Sequence, residues 1–417
     1  MRILYFHQHF GTPAGTGGTR SYEFAKMLVS RGHQVTVVCG QADRARTGNT
    51  AHRGGENRYS VEGIHIIELP LPYSNYDSIF TRSIIFLKYA LKSMLLVCRE
   101  SFDLLFATST PLTAAIPGIF LKVFSNKTFV FEVRDLWPEL PKAMGVVKNP
   151  LLLSTLGLLE YLAYLCADGC VGLSPGIVEG IRKRGSAELP IRFVPNGCDL
   201  DIFNPGNRMA LDLPQIETRD LVAVFTGAHG LANGLDAVLD TASTLKKRSR
   251  NDIKLVFIGD GKLKPALRSR ATEEGLDNCV FLDPMAKHLL AKVVANADVG
   301  LMILANVPAF YYGTSPNKFF DYLAAGLPVL INYPGWICEL IEAHDCGRVV
   351  EPEDPELFAD ALEWFADHPQ DRKSMGAKAR LLGEQKFHRR QLAEDFCEFI
   401  ESTEVNVTCS QKSKKLQ

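Results

Sequence analysis

Arg2-Ile3-Leu4-Tyr5-Phe6, a glycine-rich stretch from Gly11 to Gly18, and Gly32-His33-Gln34-Val35-Thr36-Val37-Val38-Cys39 open the chain and decide its fold. The first run is short and apolar, as a strand covered on both faces requires. Before Gly32, residues Tyr22, Ala25, Leu28 and Val29 recur at helical spacing on one face. Gly32 ends that helix, and residues 34–39 give a second strand. Strand, loop, helix and strand in this order form a βαβ unit, which implies parallel pairing through a right-handed crossover.

The alternation runs on. Apolar runs recur at residues 64–69, 104–107, 128–131, 169–173 and 191–194. Residues 201–220 contain Asn204-Pro205-Gly206 and Asp212-Leu213-Pro214 with little periodicity, the texture of an interdomain linker. The pattern then restarts with runs at 221–225, 253–258, 280–282, 299–303, 328–331 and 348–350. The expected fold class is α/β, with two Rossmann-like, doubly wound parallel-sheet domains. Residues 392–400 read as a helix, and the polar segment 403–417 as a flexible tail.

Composition agrees. A chain of 417 residues exceeds one ordinary core, at about 150 residues per domain. Forty-six Lys and Arg against forty-seven Asp and Glu leave a net charge of −1, so no global basic field exists to hold nucleic acid. Ten cysteines are scattered without Cys-x-x-Cys or zinc spacing, which suits reduced thiols in a cytoplasmic protein. Residues 79–98 are apolar but carry Arg82, Lys88 and Lys92, and Lys88, Lys92 and Arg99 share one helical face. That excludes a bilayer span and leaves a half-buried helix or one lying beside anionic lipid. Residues 151–167 hold one charge, Glu160, and read as a buried helix too short to span, with peripheral membrane contact as the alternative.

Ligands of parallel sheets bind beyond the carboxyl ends of the strands, at helix N-termini. Three loops occupy such positions. In Gly15-Thr16-Gly17-Gly18-Thr19-Arg20, glycines let a phosphate or sugar approach the backbone, so Gly17, Gly18, Thr19 and Arg20 are donor-binding candidates. Neither a dinucleotide fingerprint nor a P-loop pattern is present. The loop at Gly227-Ala228-His229-Gly230 through Asn233-Gly234 adds Gly227, His229 and Asn233. The third is Gly313-Thr314-Ser315-Pro316-Asn317-Lys318-Phe319-Phe320-Asp321-Tyr322-Leu323-Ala324-Ala325-Gly326-Leu327-Pro328. Ser315 suits an N-cap, Pro316 the first helical position and Gly326 the C-terminal cap. Lys318 and Asp321 are neighbours on one helix face. They are either an exposed ion pair or a divided binding site, with Lys318 on a diphosphate and Asp321 on ribose hydroxyls. Thr314, Ser315 and Asn317 flank them.

At this point several motifs match a family. Pro195-Asn196-Gly197-Cys198-Asp199-Leu200-Asp201-Ile202-Phe203 resembles the Pro-Asn-Gly-x-Asp-x-x-x-Phe signature of family 4 retaining glycosyltransferases with the GT-B fold. Gly32-His33-Gln34-Val35-Thr36-Val37, Gly259-Asp260-Gly261 and Asp321-Tyr322-Leu323-Ala324-Ala325-Gly326-Leu327-Pro328-Val329 match further family motifs in order, over about residues 1–385. Phe131-Glu132-Val133-Arg134-Asp135-Leu136-Trp137-Pro138-Glu139 is similar to a narrower subgroup, the WbuB-type transferases of N-acetyl-L-fucosamine in O-antigen and capsule assembly.

The resemblance implies an acceptor-side domain at 1–205, a nucleotide-sugar domain at 206–385, and a C-terminal helix at 386–402 that crosses back. It adds Asn196 and Gly259 to the donor-binding candidates and assigns Arg134, Asp135 and Glu139 as catalytic candidates on the acceptor side. It implies a UDP-activated amino sugar as substrate, an undecaprenyl-diphosphate-linked saccharide as acceptor, peripheral membrane contact, and no cofactor or metal. Asp199-Leu200-Asp201 looks like a metal-binding Asp-x-Asp but lies inside the Pro-Asn-Gly signature. The sequence also departs from the family. Gly313 stands where the first of two glutamates belongs, Ala228 and Asn233 where Arg and Lys belong, and Phe106-Ala107-Thr108-Ser109 lacks the usual His. These departures leave Lys318 with Arg20 or Arg134 as replacement cations. They also keep open a UDP-sugar 2-epimerase of the same fold and a silent nucleotide-sugar-binding subunit.

Overall fold

A computed structural model describes residues 1–41, 55–74, 76–206 and 216–415, so the middle of the expected linker, residues 207–215, lies outside the described residues. The chain divides into two compact units. One holds Met1–Pro195, Tyr312–Ser315 and Arg390–Gln417; the other holds Asn196–Tyr311 and Pro316–Arg389.

In the first unit the strands are β1 (Arg2–Phe6), β2 (Gln34–Gly40), β3 (Asn57–Val61), β4 (Ile64–Leu69), β5 (Leu104–Thr108), β6 (Thr128–Val133), β7 (Gly169–Gly172) and β8 (Ile191–Phe193). They form one sheet in the order β3-β4-β2-β1-β5-β6-β7-β8. β1 is central, with Arg2 opposite Gln34 on one side and Ile3 opposite Leu104 on the other, both pairings parallel. β3 alone runs antiparallel, at the edge beside β4. The sequence reading missed β3 because Asn57-Arg58-Tyr59-Ser60-Val61 has no apolar run; as a half-exposed edge strand it needs none.

Two apolar cores cover the faces of this sheet. One contains Phe6, Leu105 and Phe131 with Leu96, Leu121 and Tyr164 from helices Ile79–Arg99, Ile116–Phe124 and Pro150–Cys166. The other contains Tyr5, Val37 and Phe106 with Phe24 from helix Arg20–Ser30. Phe396, Cys397, Phe399 and Ile400 join that second core from the last helix, Arg389–Lys415. Phe396 stacks on Phe24 at 4.4 Å. The helix continues through Thr403 to Lys415, where a polar composition had suggested a frayed tail; Thr403 is buried and its hydroxyl bonds the Phe399 carbonyl. Helix Pro150–Cys166 also corrects the sequence reading. Only Glu160, Ala163 and Tyr164 are buried, and its remaining apolar residues are partly or fully exposed.

The second unit carries β9 (Leu221–Thr226), β10 (Ile253–Ile258), β11 (Cys279–Leu282), β12 (Val299–Met302), β13 (Val329–Ile331) and β14 (Gly347–Val349). All pair in parallel, in the order β11-β10-β9-β12-β13-β14. Strand order reverses between β9 and β12, so the loops after these strands diverge and leave a crevice at their carboxyl ends. Two such doubly wound units on one chain constitute the GT-B fold.

Candidate functional site

The second unit's switch point is built around helix Asn317–Ala325. The Tyr322 hydroxyl accepts from the Thr226 N–H at 2.9 Å and donates to the Val224 carbonyl at 3.1 Å, which locks the helix under β9. Gly300 in β12 makes room, since a Cβ there would lie 2.4 Å from the Tyr322 ring. Gly326, at φ +69°, ends the helix as its sequence suggests. Pro316, rather than Ser315, occupies the capping position, so the helix begins one residue later than expected.

This anchoring presents Lys318 to the loop after β9. Its ammonium donates to Asn233 Oδ1 at 2.9 Å and lies 3.7 Å from the centre of the Phe225 ring. A Cβ on Gly227 would lie 3.4 Å from Lys318 Cε and 3.6 Å from Nζ, so loop and ammonium are in contact. Burial pushes the Lys318 ammonium well below its usual value. Among the described residues no carboxylate pairs with it, so the exposed ion pair with Asp321 does not form. The Asn317 Oδ1 atom in the same first turn is buried without a hydrogen-bond partner. A half-buried cation, a helix start and a glycine loop together suit an anion of phosphate size.

Asp321 sits one turn further in and is buried. Its Oδ1 has no partner, and burial pushes the carboxyl up to about 6, with Lys287 opposing. A carboxylate desolvated without a donor calls for a ligand hydroxyl or amide. Nearby Asp199, from the Pro-Asn-Gly motif, has both oxygens committed. Arg389 donates to Oδ1 at 2.8 Å and Lys287 to Oδ2. Burial alone would raise this carboxyl, but the two cations hold it well below the usual carboxylate range. Its bonds are structural, tying Asn196–Phe203 to the rest of the unit. Asn196 is buried in the same segment.

The loops after β9 and β10 pack backbone on backbone. Gly259, at φ +148°, faces Gly227 so closely that a Cβ would fall 1.9 Å from the Gly227 carbonyl oxygen. His229 lies between them, its backbone N–H bonded to the Asp260 carbonyl and its ring among Phe225, Phe257 and Phe281. Burial first, then the charge of Lys264, pushes this imidazole down to about 4, so it is neutral at pH 7. Such a ring holds the loop in shape rather than supplying charge. A cavity of about 300 Å³ opens on the other side of the Leu231–Asn233 turn. It is lined by Asp236, Asp240, Glu351, Glu353 and Asp354 with no cation among its described lining residues, which disfavours a phosphate there.

The first unit has its own switch point, between β1 and β5. Arg134 and Asp135 follow β6 there. The Arg134 N–H donates to Ser109 Oγ at 2.8 Å, and its guanidinium lies 3.4 Å from His7 Nε2. Thr110, held at φ +81°, donates its hydroxyl to Asp135 Oδ2 at 3.0 Å, while burial pushes that carboxyl up. Glu139 is exposed in the first turn of helix Glu139–Ala143. Arg20 is buried and committed elsewhere: Nε donates to Glu132 at 2.9 Å and Nη2 to the Val194 carbonyl at 2.7 Å. Gly17 and Gly18 precede it in the loop, and Thr19 occupies the N-cap position of its helix. Thr314 and Ser315 group with the first unit and Lys318 with the second. His7 and Thr110 were missed in the sequence; only their places at strand ends mark them.

Comparison with known proteins gives each unit a relative. Residues 15–197 match the family described as "Glycosyl transferase 4-like domain", and residues 213–382 match "Glycosyl transferases group 1". The D-inositol 3-phosphate glycosyltransferase of Corynebacterium efficiens is 26% identical over 204 residues, 45% of this chain and 46% of that protein. The D-rhamnosyltransferase WbpZ of Pseudomonas aeruginosa is 26% identical over 201 residues, 47% of this chain and 49% of that protein. The aligned part of the chain thus spans about half the length of the curated relatives it matches. Among solved structures, a sucrose-phosphate synthase from Thermosynechococcus elongatus superposes with a TM-score of 0.75 at 17% identity, over 96% of this chain and 98% of that one. WaaG, a glycosyltransferase involved in lipopolysaccharide biosynthesis, gives 0.66 at 16% identity, over 96% and 99%. Anabaena Alr3699/HepE, solved in complex with UDP and glucose, gives 0.67 at 16% identity, over 96% and 100%.

Proposed function

We propose that the chain, whose two halves match two glycosyltransferase family models, is a glycosyltransferase of the GT-B fold that moves an N-acetylated amino sugar, with 6-deoxy sugars among the candidates, from UDP to a lipid-linked saccharide. The transfer retains configuration and serves bacterial surface polysaccharide assembly. The observation that carries the reading is the pairing on one helix of Lys318, beside the helix start and the Gly227 loop, with Asp321, whose buried oxygen lacks a donor. Lys318 and the free N–H groups of the first turn receive the diphosphate. Asp321 accepts from ribose hydroxyls, and Gly227, Asn233 and Gly259 line the nucleotide.

The chemistry follows from where charge develops. Cleavage of the sugar–phosphate bond passes through an oxocarbenium-like state. Negative charge grows on the departing diphosphate, and a cation preplaced in a desolvated site lowers that barrier most. Lys318 is such a cation. In the first unit, Arg134, Asp135 and Glu139 serve the acceptor, with Asp135 taking its proton. Related solved structures hold UDP with a sugar, which supports the donor class.

The test is product analysis with a panel of UDP-N-acetyl amino sugars and an undecaprenyl-diphosphate-linked saccharide. The expected result is UDP release matched mole for mole by a lipid product heavier by one sugar. An epimerised nucleotide sugar without UDP release would replace this reading with the epimerase. Failure with every donor and acceptor, despite UDP binding, would leave a silent nucleotide-sugar-binding subunit.

A further inference from the structure

We infer that Thr110 is the positioning residue of Asp135: its hydroxyl holds one carboxylate oxygen of that side chain and leaves the other for the acceptor. The inference rests on the proposed function for the purpose of Asp135, while the contact itself belongs to the free protein.

The backbone supplies the first observation. Thr110 stands at φ +81°. A side chain branched at Cβ is strongly disfavoured there, where glycine sits readily. Pro111 follows and narrows the choices of Thr110 further. The other described residues besides glycine at positive φ are Glu62, Ser249, Asp345 and Glu353, none of them branched at Cβ. Glu62 sits in the turn between β3 and β4, and Ser249 and Asp345 lie just beyond helix ends. Thr110 instead follows β5, at the switch point of the first unit. Strain of this kind persists where a function retains the residue. What threonine offers here and glycine lacks is a hydroxyl, and that hydroxyl donates to Asp135 Oδ2 at 3.0 Å. Among the described residues no other side chain donates to this carboxylate.

The loop that carries Asp135 is held by other groups. The Arg134 N–H donates to Ser109 Oγ at 2.8 Å. The Trp137 backbone N–H donates to Glu160, the one acid of helix Pro150–Cys166. Glu160 is buried, accepts from Tyr164 at 2.9 Å and pairs with Arg184. Leu136 packs over Gly180 so closely that a Cβ there would fall 2.7 Å from its Cδ1. Ser109, Glu160 and Gly180 thus fix the segment from Arg134 to Trp137, and the Thr110 hydroxyl acts on the Asp135 side chain alone.

Its action is to keep that side chain ionised and aimed. Burial pushes the carboxyl up; the Thr110 hydroxyl first, then the charge of Arg134, pull it down. Arg134 is the charged group set against it, and His7 Nε2 lies 3.4 Å from that guanidinium. With Oδ2 occupied, Oδ1 is left for an acceptor hydroxyl. As the acceptor oxygen bonds the anomeric carbon, its proton passes to Oδ1 and UDP leaves with the electron pair of the broken bond.

The test compares Thr110→Val, Thr110→Ser and Thr110→Gly in the whole protein. The Asp135 carboxyl is titrated by infrared difference spectroscopy, with Asp135→Asn to assign its band. Thr110→Val keeps the branching and removes the hydroxyl, and should move the midpoint up by about one pH unit or more. Thr110→Ser should return it. Thr110→Gly suits the backbone without a hydroxyl, so it should shift the midpoint as Thr110→Val does while melting no lower than the natural protein. In transfer assays with the donors and acceptor named above, the rising limb of kcat against pH should move with the midpoint, and the Kd for UDP should stay unchanged. A midpoint that Thr110→Val and Thr110→Gly leave in place overturns the inference, whatever the protein transfers. So does a midpoint that Thr110→Ser fails to restore. A shifted midpoint with an unshifted kcat limb upholds Thr110 on Asp135 and removes Asp135 as the proton acceptor.

Discussion

Replacing Lys318 by Met removes the ammonium while keeping an unbranched side chain over the Phe225 ring. In the free protein that ammonium is half-buried, held 2.9 Å from Asn233 Oδ1 and 3.7 Å from the ring centre, with no carboxylate partner among the described residues. A charge-assisted bond to a diphosphate oxygen contributes about 1.5–3 kcal/mol. Lys318→Met should therefore raise the Kd for UDP by about 10- to 150-fold. Isothermal titration calorimetry reads this directly and supplies a second signature. Because burial holds the free ammonium well below its usual value, a bound diphosphate raises it again, and binding takes up protons increasingly as pH rises. Titrations in two buffers of different ionisation enthalpy should show that uptake in the natural protein and not in the variant. The sign for stability is opposite. A half-buried cation whose folded value is depressed is destabilising at every pH below its ordinary, unfolded value, so the variant should melt higher at neutral pH without ligand. A UDP affinity unchanged by Lys318→Met refutes the reasoning.

Three further substitutions separate binding from architecture. Burial raises the Asp321 carboxyl to about 6, so its stabilising proton is present at low pH and lost as pH rises through 6. Asp321→Asn should then stabilise the free protein at pH 8 by about 2–3 kcal/mol in thermal melts, yet weaken UDP about tenfold; unchanged UDP affinity removes the ribose role. Asp199→Asn leaves Lys287 and Arg389 buried without their carboxylate, at about 3–5 kcal/mol, and should lower the melting temperature by about 10 °C. A melt unchanged there contradicts the structural assignment. Arg20→Met strands Glu132 in the core of the first unit and should destabilise by about 3–5 kcal/mol with UDP affinity intact. Weaker UDP binding without destabilisation would return Arg20 to the donor site.

The fold was largely legible because parallel strands covered on both faces must be apolar along their whole length. Residues 2–6, 64–69 and 253–258 show this, and their strands have the expected bounds. What escaped was structure that needs no apolar run. β3 is polar, and helix Arg389–Lys415 ends in residues whose composition also suits a free tail. Composition misled at residues 151–167, because an apolar helix reads alike whether its outer face meets protein or another apolar medium. In the candidate site, Lys318 and Asp321 were legible from their spacing after a helix-start signal. The commitment of Arg20 to Glu132 was not, because a cation beside a glycine loop looks the same whether its partner is a phosphate or a carboxylate 112 residues away. Nor could sequence place Asp199 against Lys287 and Arg389, since that triad joins three distant segments.

The measurement closest to the central claim is a crystal structure of the protein with UDP bound. The account predicts the diphosphate over the first turn of helix Asn317–Ala325, within hydrogen-bond reach of the Lys318 ammonium, with a ribose hydroxyl on Asp321 Oδ1. UDP bound elsewhere, with the Lys318–Asn233 contact undisturbed and Asp321 Oδ1 still unpartnered, would contradict it.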